Sequence, residues 1–164
     1  GYRLRMRETP YPLAAARTQR DQLRRDALAE LSTARQQLRA ADAALDTVRA
    51  TVDALRRRRT IAPPVRDGRT HSAAEIAREG AYATRLQREL AGLLLQLKAA
   101  EKHASERRRA VRLAELRVAD AHAQREVLER HHAQFRETER TASERAQELE
   151  DEELRSRPPG ALRS

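Results

Sequence analysis

Cysteine and tryptophan are absent from this chain, phenylalanine occurs once and tyrosine three times. Without cysteine there is no disulfide framework, no thiolate metal site and no cysteine nucleophile. Bulky apolar residues are scarce too: Ile, Val, Leu and Phe together number 29 of 164. That is under the level at which a highly charged chain is suspected of disorder, and it cannot fill a sandwich or a doubly wound sheet. The longest run of large aliphatic residues is Leu93, Leu94 and Leu95, far short of a bilayer span. Residues 1–7 carry arginines but no apolar stretch, so no secretory signal is expected and the cytoplasm is the default location.

What is abundant is alanine, leucine and charge. The chain has 31 Ala and 20 Leu, charged residues make up 36%, and 34 Lys+Arg against 25 Asp+Glu leave a net charge of +9. All of the cations except Lys98 and Lys102 are arginine. An Arg- and Ala-rich composition accompanies GC-rich genomes, so the charge does not by itself indicate nucleic acid. Such a chain is either disordered or a long, thin helical object, and periodicity decides which.

Two tracks at alternating steps of four and three decide for helices. The first is Ala27, Leu31, Ala34, Leu38, Ala41, Leu45, Val48, Val52 and Leu55, all apolar. The second runs from Ala83 through Leu86, Leu90, Leu93, Leu97, Ala100, Ala104, Arg107, Val111, Ala114, Val118, Ala121, Arg125, Leu128, His132, Phe135, Glu139, Ala142 and Ala146 to Leu149. Sixteen of its twenty positions are apolar and the step never slips. A sustained 3.5-residue period with charge elsewhere is the signature of a left-handed coiled coil. The spacing predicts an all-α fold, a long antiparallel two-helix coiled-coil hairpin with helix two longer than helix one.

Punctuation sets the expected boundaries. Pro10 and Pro12 suit a helix start, where a missing N–H costs nothing, and the arginines at 56–59 suit a helix end, where cations favour the macrodipole. Pro63, Pro64, Asp67 and Gly68 break the pattern, and Ser72 with Glu75 reads as a capping box. We therefore expect a flexible basic N-terminus at 1–11, helix one at 12–59, a connector at 60–71, helix two at 72–154 and a disordered tail at 155–164. If Leu55 faces the region of Ile76, pairing ends near Val118 and some 35 residues of helix two, at about 1.5 Å each, reach past the start of helix one. An apolar stripe of that length calls for a partner, another protein or a second copy.

Chemical motifs are few. Glu129 and His132 have the i, i+3 spacing of di-iron bundles, but no second such pair exists, so a solvated or seam-edge histidine is the simpler reading. No nucleophile arrangement or glycine-rich phosphate loop is present; we expect no catalytic residue, no metal and no cofactor. The arginines at 56–59 and the N-terminal set could neutralise phosphates, yet a zipper-type DNA binder places its basic helix before the coiled coil and stacking aromatics are missing. Arg107, Arg125, His132 and Glu139 interrupt the apolar track, as register-setting or snorkelling residues do, or as a partner-facing surface would. Leu94, Leu95 and Tyr82 lie off the track, as a docking patch or homo-oligomer contact would, or where the connector overlaps helix two.

The layout resembles a known family. Tyr11, Pro12 and Leu13 lead into an arginine-rich first stretch, Arg/Glu-rich heptads follow, and the helical pattern closes on Glu148, Leu149, Glu150, Asp151, Glu152 and Glu153. In layout and composition, over nearly the whole chain, this is similar to the central-stalk proteins of type III secretion systems, the FliJ/YscO/SctO family, and to its Hrp-type members. The resemblance implies a non-enzymatic stalk at the cytoplasmic face of the bacterial inner membrane. It would insert into a hexameric secretion ATPase and contact the export-gate protein and some secretion chaperones, with no nucleic acid and no membrane insertion. On that comparison Arg17, Arg20, Arg24, Arg25, Arg125, His132, Phe135 and Glu139 are the expected ring contacts. Tyr82, Leu94 and Leu95 are the expected gate or partner contacts. The rival readings are a nucleic-acid-associated basic coiled coil and a scaffold or adaptor that oligomerises.

Overall fold

The computed structural model describes residues 10–61 and 72–156. They form two α-helices, α1 (Ala14–Ile61, 48 residues) and α2 (Ala73–Ser156, 84 residues), the second longer than the first, and no strand occurs among the described residues. The boundaries fall within two residues of those expected. Residues 1–9, the prolines and glycine of 62–71 expected in the connector, and the tail from 157 lie outside the described residues; residues 155 and 156, expected in the tail, are helical.

Local chemistry explains both helix starts. The amide of Ala14, two residues after Pro12, donates to the carbonyl of Tyr11 at 3.1 Å. At α2 the expected capping box is present in full. The Ser72 amide donates to Glu75 Oε2 at 2.9 Å, and the Glu75 amide donates to Ser72 Oγ at 3.3 Å, so two otherwise orphaned donors are satisfied reciprocally. Threonines inside the helices return their hydroxyls to the preceding turn, as Thr47 does to Ala43 and Thr84 to Gly80.

The chain divides into two units, Gly1–Ala27 with Arg117–Ser164, and Leu28–Leu116. Within Leu28–Leu116 the two helices pack through the expected tracks. Leu31, Ala41, Leu45, Val52 and Leu55 of α1 are buried, and so are Leu86, Ala104, Val111 and Ala114 of α2. Ala41, Leu45 and Ala104 form one cluster, with Leu97 and Ala100 packed against it. Alanine at the closest points lets the backbones approach, so the core is one side chain thick. A ladder of ion pairs flanks it: Arg35 with Glu115 at 3.1 Å, Asp42 with Arg108 at 2.8 Å and Arg49 with Glu101 at 3.5 Å. Each rung moves seven residues up α1 and seven down α2. One of the track interruptions is explained here, because Arg107 reaches out to donate to Gln37 at 2.7 Å.

This ladder corrects the expected register. Arg49 meets Glu101, which brings position 56 level with 94, not with the region of Ile76; Ile76, and Ala83 at the start of the track, are exposed. Within the other unit, taken by itself, pairing does not end near Val118. Arg125, Glu129, His131, His132 and Phe135 all engage the first turns of α1 or the residues leading into it.

Gly80 and Gly92 sit in exposed helical positions where an added Cβ meets nothing within 4 Å. Neither is required by the fold. Gly80→Ala and Gly92→Ala are each expected to stabilise α2 by up to about 1 kcal/mol, read as a higher melting temperature by circular dichroism; a lower one would mean the glycines serve a close approach.

Candidate functional site

Within Gly1–Ala27 and Arg117–Ser164 the seam changes character. Stepping back from Ala27 by three and four, the α1 track reaches Arg24, Arg20 and Arg17, all half-buried. Opposite them α2 presents Ala121, Arg125, Leu128 and His132, also half-buried. Ala27 is the one buried hydrophobic residue of this unit among the described residues.

Charge fills the place of the apolar core. The Arg17 guanidinium grips Glu129 with two bonds, Nε to Oε1 at 2.6 Å and Nη2 to Oε2 at 3.0 Å. Arg125 donates to Asp21 and lies 3.9 Å from Glu129. The two arginines and two carboxylates thus form one electrically balanced network, with each helix supplying one of each. These side chains are 30–37% exposed, whereas those of the ion-pair ladder are 42–53% exposed, so the network is the less solvated of the two. Bidentate, charge-assisted pairing is the stronger kind, and it perturbs the groups accordingly. The hydrogen bonds from Arg125 hold the Asp21 carboxyl below the usual carboxylate range, and those from Arg17 do the same for Glu129. Arg17 is pushed further up by its bond to Glu129. Arg20 donates to Gln124, whose own amide donates to Asp120 at 2.8 Å.

Tyr11 closes this end of the seam. Its hydroxyl lies 2.9 Å from His131 Nδ1, and its ring packs edge-on against His132 (centroids 4.6 Å apart) and tilted against Phe135 (5.4 Å). Offset and edge-on contacts of this kind are the favoured aromatic geometries.

Five of the expected ring contacts take partners outside that set. Arg17, Arg20 and Arg125 bond Glu129, Gln124 and Asp21 across the helices, His132 and Phe135 pack against Tyr11, Arg24 is half-buried on the same track, Glu139 is half-buried further along α2, and Arg25 is exposed. The Glu129/His132 pair is split between Arg17 and Tyr11, which makes His132 a seam-edge residue. Sequence reasoning missed Tyr11 as an anchor and Asp21 as a cross-helix partner. The available signal was the unbroken four-three step from Ala27 back to Arg17. Tyr82, Leu94 and Leu95 are exposed in the other unit, Leu95 to 72%.

Among the described residues no three His, Asp or Glu side chains gather as a metal group, and no helix is long and apolar enough to cross a membrane. Comparison with known protein families, curated proteins and solved structures gives no match to this chain. Among the described residues the geometry is that of two helices held together by a thin apolar seam and by charged contacts.

Proposed function

We propose that α1 and α2 pair as an antiparallel coiled coil and that the chain is a non-enzymatic central stalk of a type III secretion export apparatus. In this reading it sits at the cytoplasmic face of the bacterial inner membrane, enters the hexameric ATPase ring and couples it to the export gate. The supporting observation is the unequal use of the helices. Arg17, in the first turn of α1, pairs with Glu129, and α2 then continues as helix for 27 further residues to Ser156. Pairing order also favours the antiparallel arrangement, because cross-helix partners descend along α2 as they ascend along α1 in each unit.

The mechanism is mechanical. A stalk bearing different charged faces touches the ring subunits unequally and biases their nucleotide states through differential contacts alone. It supplies no reacting group. The test is to mix the full chain with the export ATPase and follow hexamer formation and ATP hydrolysis. Stimulation by the full chain and its loss on deleting 137–164 is the expected result. No effect of the full chain, or an equal effect of the shortened one, overturns the reading.

A further inference from the structure

The ion-pair ladder stops one rung early. Arg35 with Glu115, Asp42 with Arg108 and Arg49 with Glu101 recur every seven residues, so the next rung sets Arg56 level with residue 94. That residue is leucine. Arg56 falls back on Asp53 of its own helix at 3.9 Å, and Arg57, Arg58 and Arg59 form no ion pair among the described residues while remaining exposed. Beside them Leu94 and Leu95 are exposed, although Leu90, Leu93 and Leu97 already supply the inward face. The result is a collar of four consecutive cations around α1, of which Arg56 is level with the exposed Leu94.

Its complement is in the same sequence. Glu148, Glu150, Asp151, Glu152 and Glu153 are helical, exposed and without an ion pair among the described residues. They surround Leu149 and Leu154, also exposed. Carboxylates crowded at a helix C-terminus repel one another and oppose the macrodipole, and an arginine cluster relieves both. Leu149 shares a helix face with Glu152 and Glu153, three and four residues on, just as Leu94 is level with Arg56.

We infer that the arginine–leucine surface of residues 56–59, 94 and 95 docks the acidic helical end, residues 148–154, of a second copy of this chain. Because the two faces differ, the contact is heterologous and can repeat from copy to copy. It stands independently of the stalk reading.

Charge exchange tests it. Sedimentation equilibrium of the full chain at about 50 mM salt, where screening acts over roughly 14 Å, should show mass rising with protein concentration. At about 500 mM salt, with screening over roughly 4 Å, association should weaken by at least about tenfold. Arg57→Glu with Arg58→Glu, and separately Glu150→Arg with Glu152→Arg, should each reduce low-salt association by about tenfold or more, as like charges now face each other. All four positions are exposed, so helicity by circular dichroism should be retained. Mixed in equal amounts the two variants should associate again, because the acidic end of the first meets the untouched arginines of the second. Three outcomes overturn the inference: a mass independent of concentration, variants that associate as the parent does, or a mixture no better than its components.

Discussion

Leu45→Ala is expected to lower the free energy of unfolding by about 2–4 kcal/mol. Leu45 is 3% exposed and packs with Ala41 and Ala104, with Leu97 and Ala100 behind them. Three of these four neighbours are alanines already in contact, with no side chain to swing into the vacated space. The cavity therefore stays open, which puts the cost above bare transfer. Against a typical total of about 5–15 kcal/mol such a loss is severe for a core one side chain thick. Ala104, wholly buried, fails in the opposite way: Ala104→Leu drives the helices apart and costs about 1–3 kcal/mol. Leu95→Ala, at an exposed position, should change stability by no more than about 0.5 kcal/mol. Urea denaturation followed by circular dichroism measures all three. Equal losses at Leu45 and Leu95 would show that the alanine–leucine seam is not what holds the helices.

The apolar half of this fold was open to reading because its signal is redundant. Nine consecutive track positions from Ala27 to Leu55 leave one face for a helix to bury, and all nine are buried or half-buried. Ser72 and Glu75 are similarly unambiguous, since their spacing has one structural use. Register was not readable from the track, because an Ala/Leu stripe packs almost as well after sliding along its partner. Selection falls to the flanks, where Arg35, Asp42 and Arg49 match Glu115, Arg108 and Glu101 in sign at one alignment. That pattern was in the sequence, but the expected register did not use it. The charged seam was hidden for another reason. Arg17, Arg20 and Arg24 keep the heptad step, yet arginine at a core position reads as solvated surface until the carboxylate that neutralises it is placed opposite. Only the tertiary partner, Glu129 for Arg17, turns the exception into a rule.

Acid should open the charged seam while leaving the apolar one closed. Asp21 and Glu129 both have carboxyl groups held below their ordinary range by the arginines that bond them. A depressed folded-state value means the stabilisation is fully present above the ordinary carboxylate range, near pH 4. It is lost as pH falls through and below that range, because the unfolded state takes up protons first. Protonation of both carboxyls leaves the half-buried Arg17 and Arg125 side chains without counter-charge. In Leu28–Leu116 the buried leucines, valines and alanines hold the seam, and its ion pairs are more exposed. Hydrogen–deuterium exchange, corrected for intrinsic rates, should therefore show protection of the Ala14–Ala27 amides collapsing between about pH 5 and pH 3. Protection at Ala41–Leu55 should fall far less. Asp21→Asn with Glu129→Gln should reproduce the loss at neutral pH and flatten its pH dependence. A uniform loss along α1, or a double variant as acid-sensitive as the parent, would place the stabilisation of this unit somewhere other than the Arg17, Asp21, Arg125 and Glu129 network.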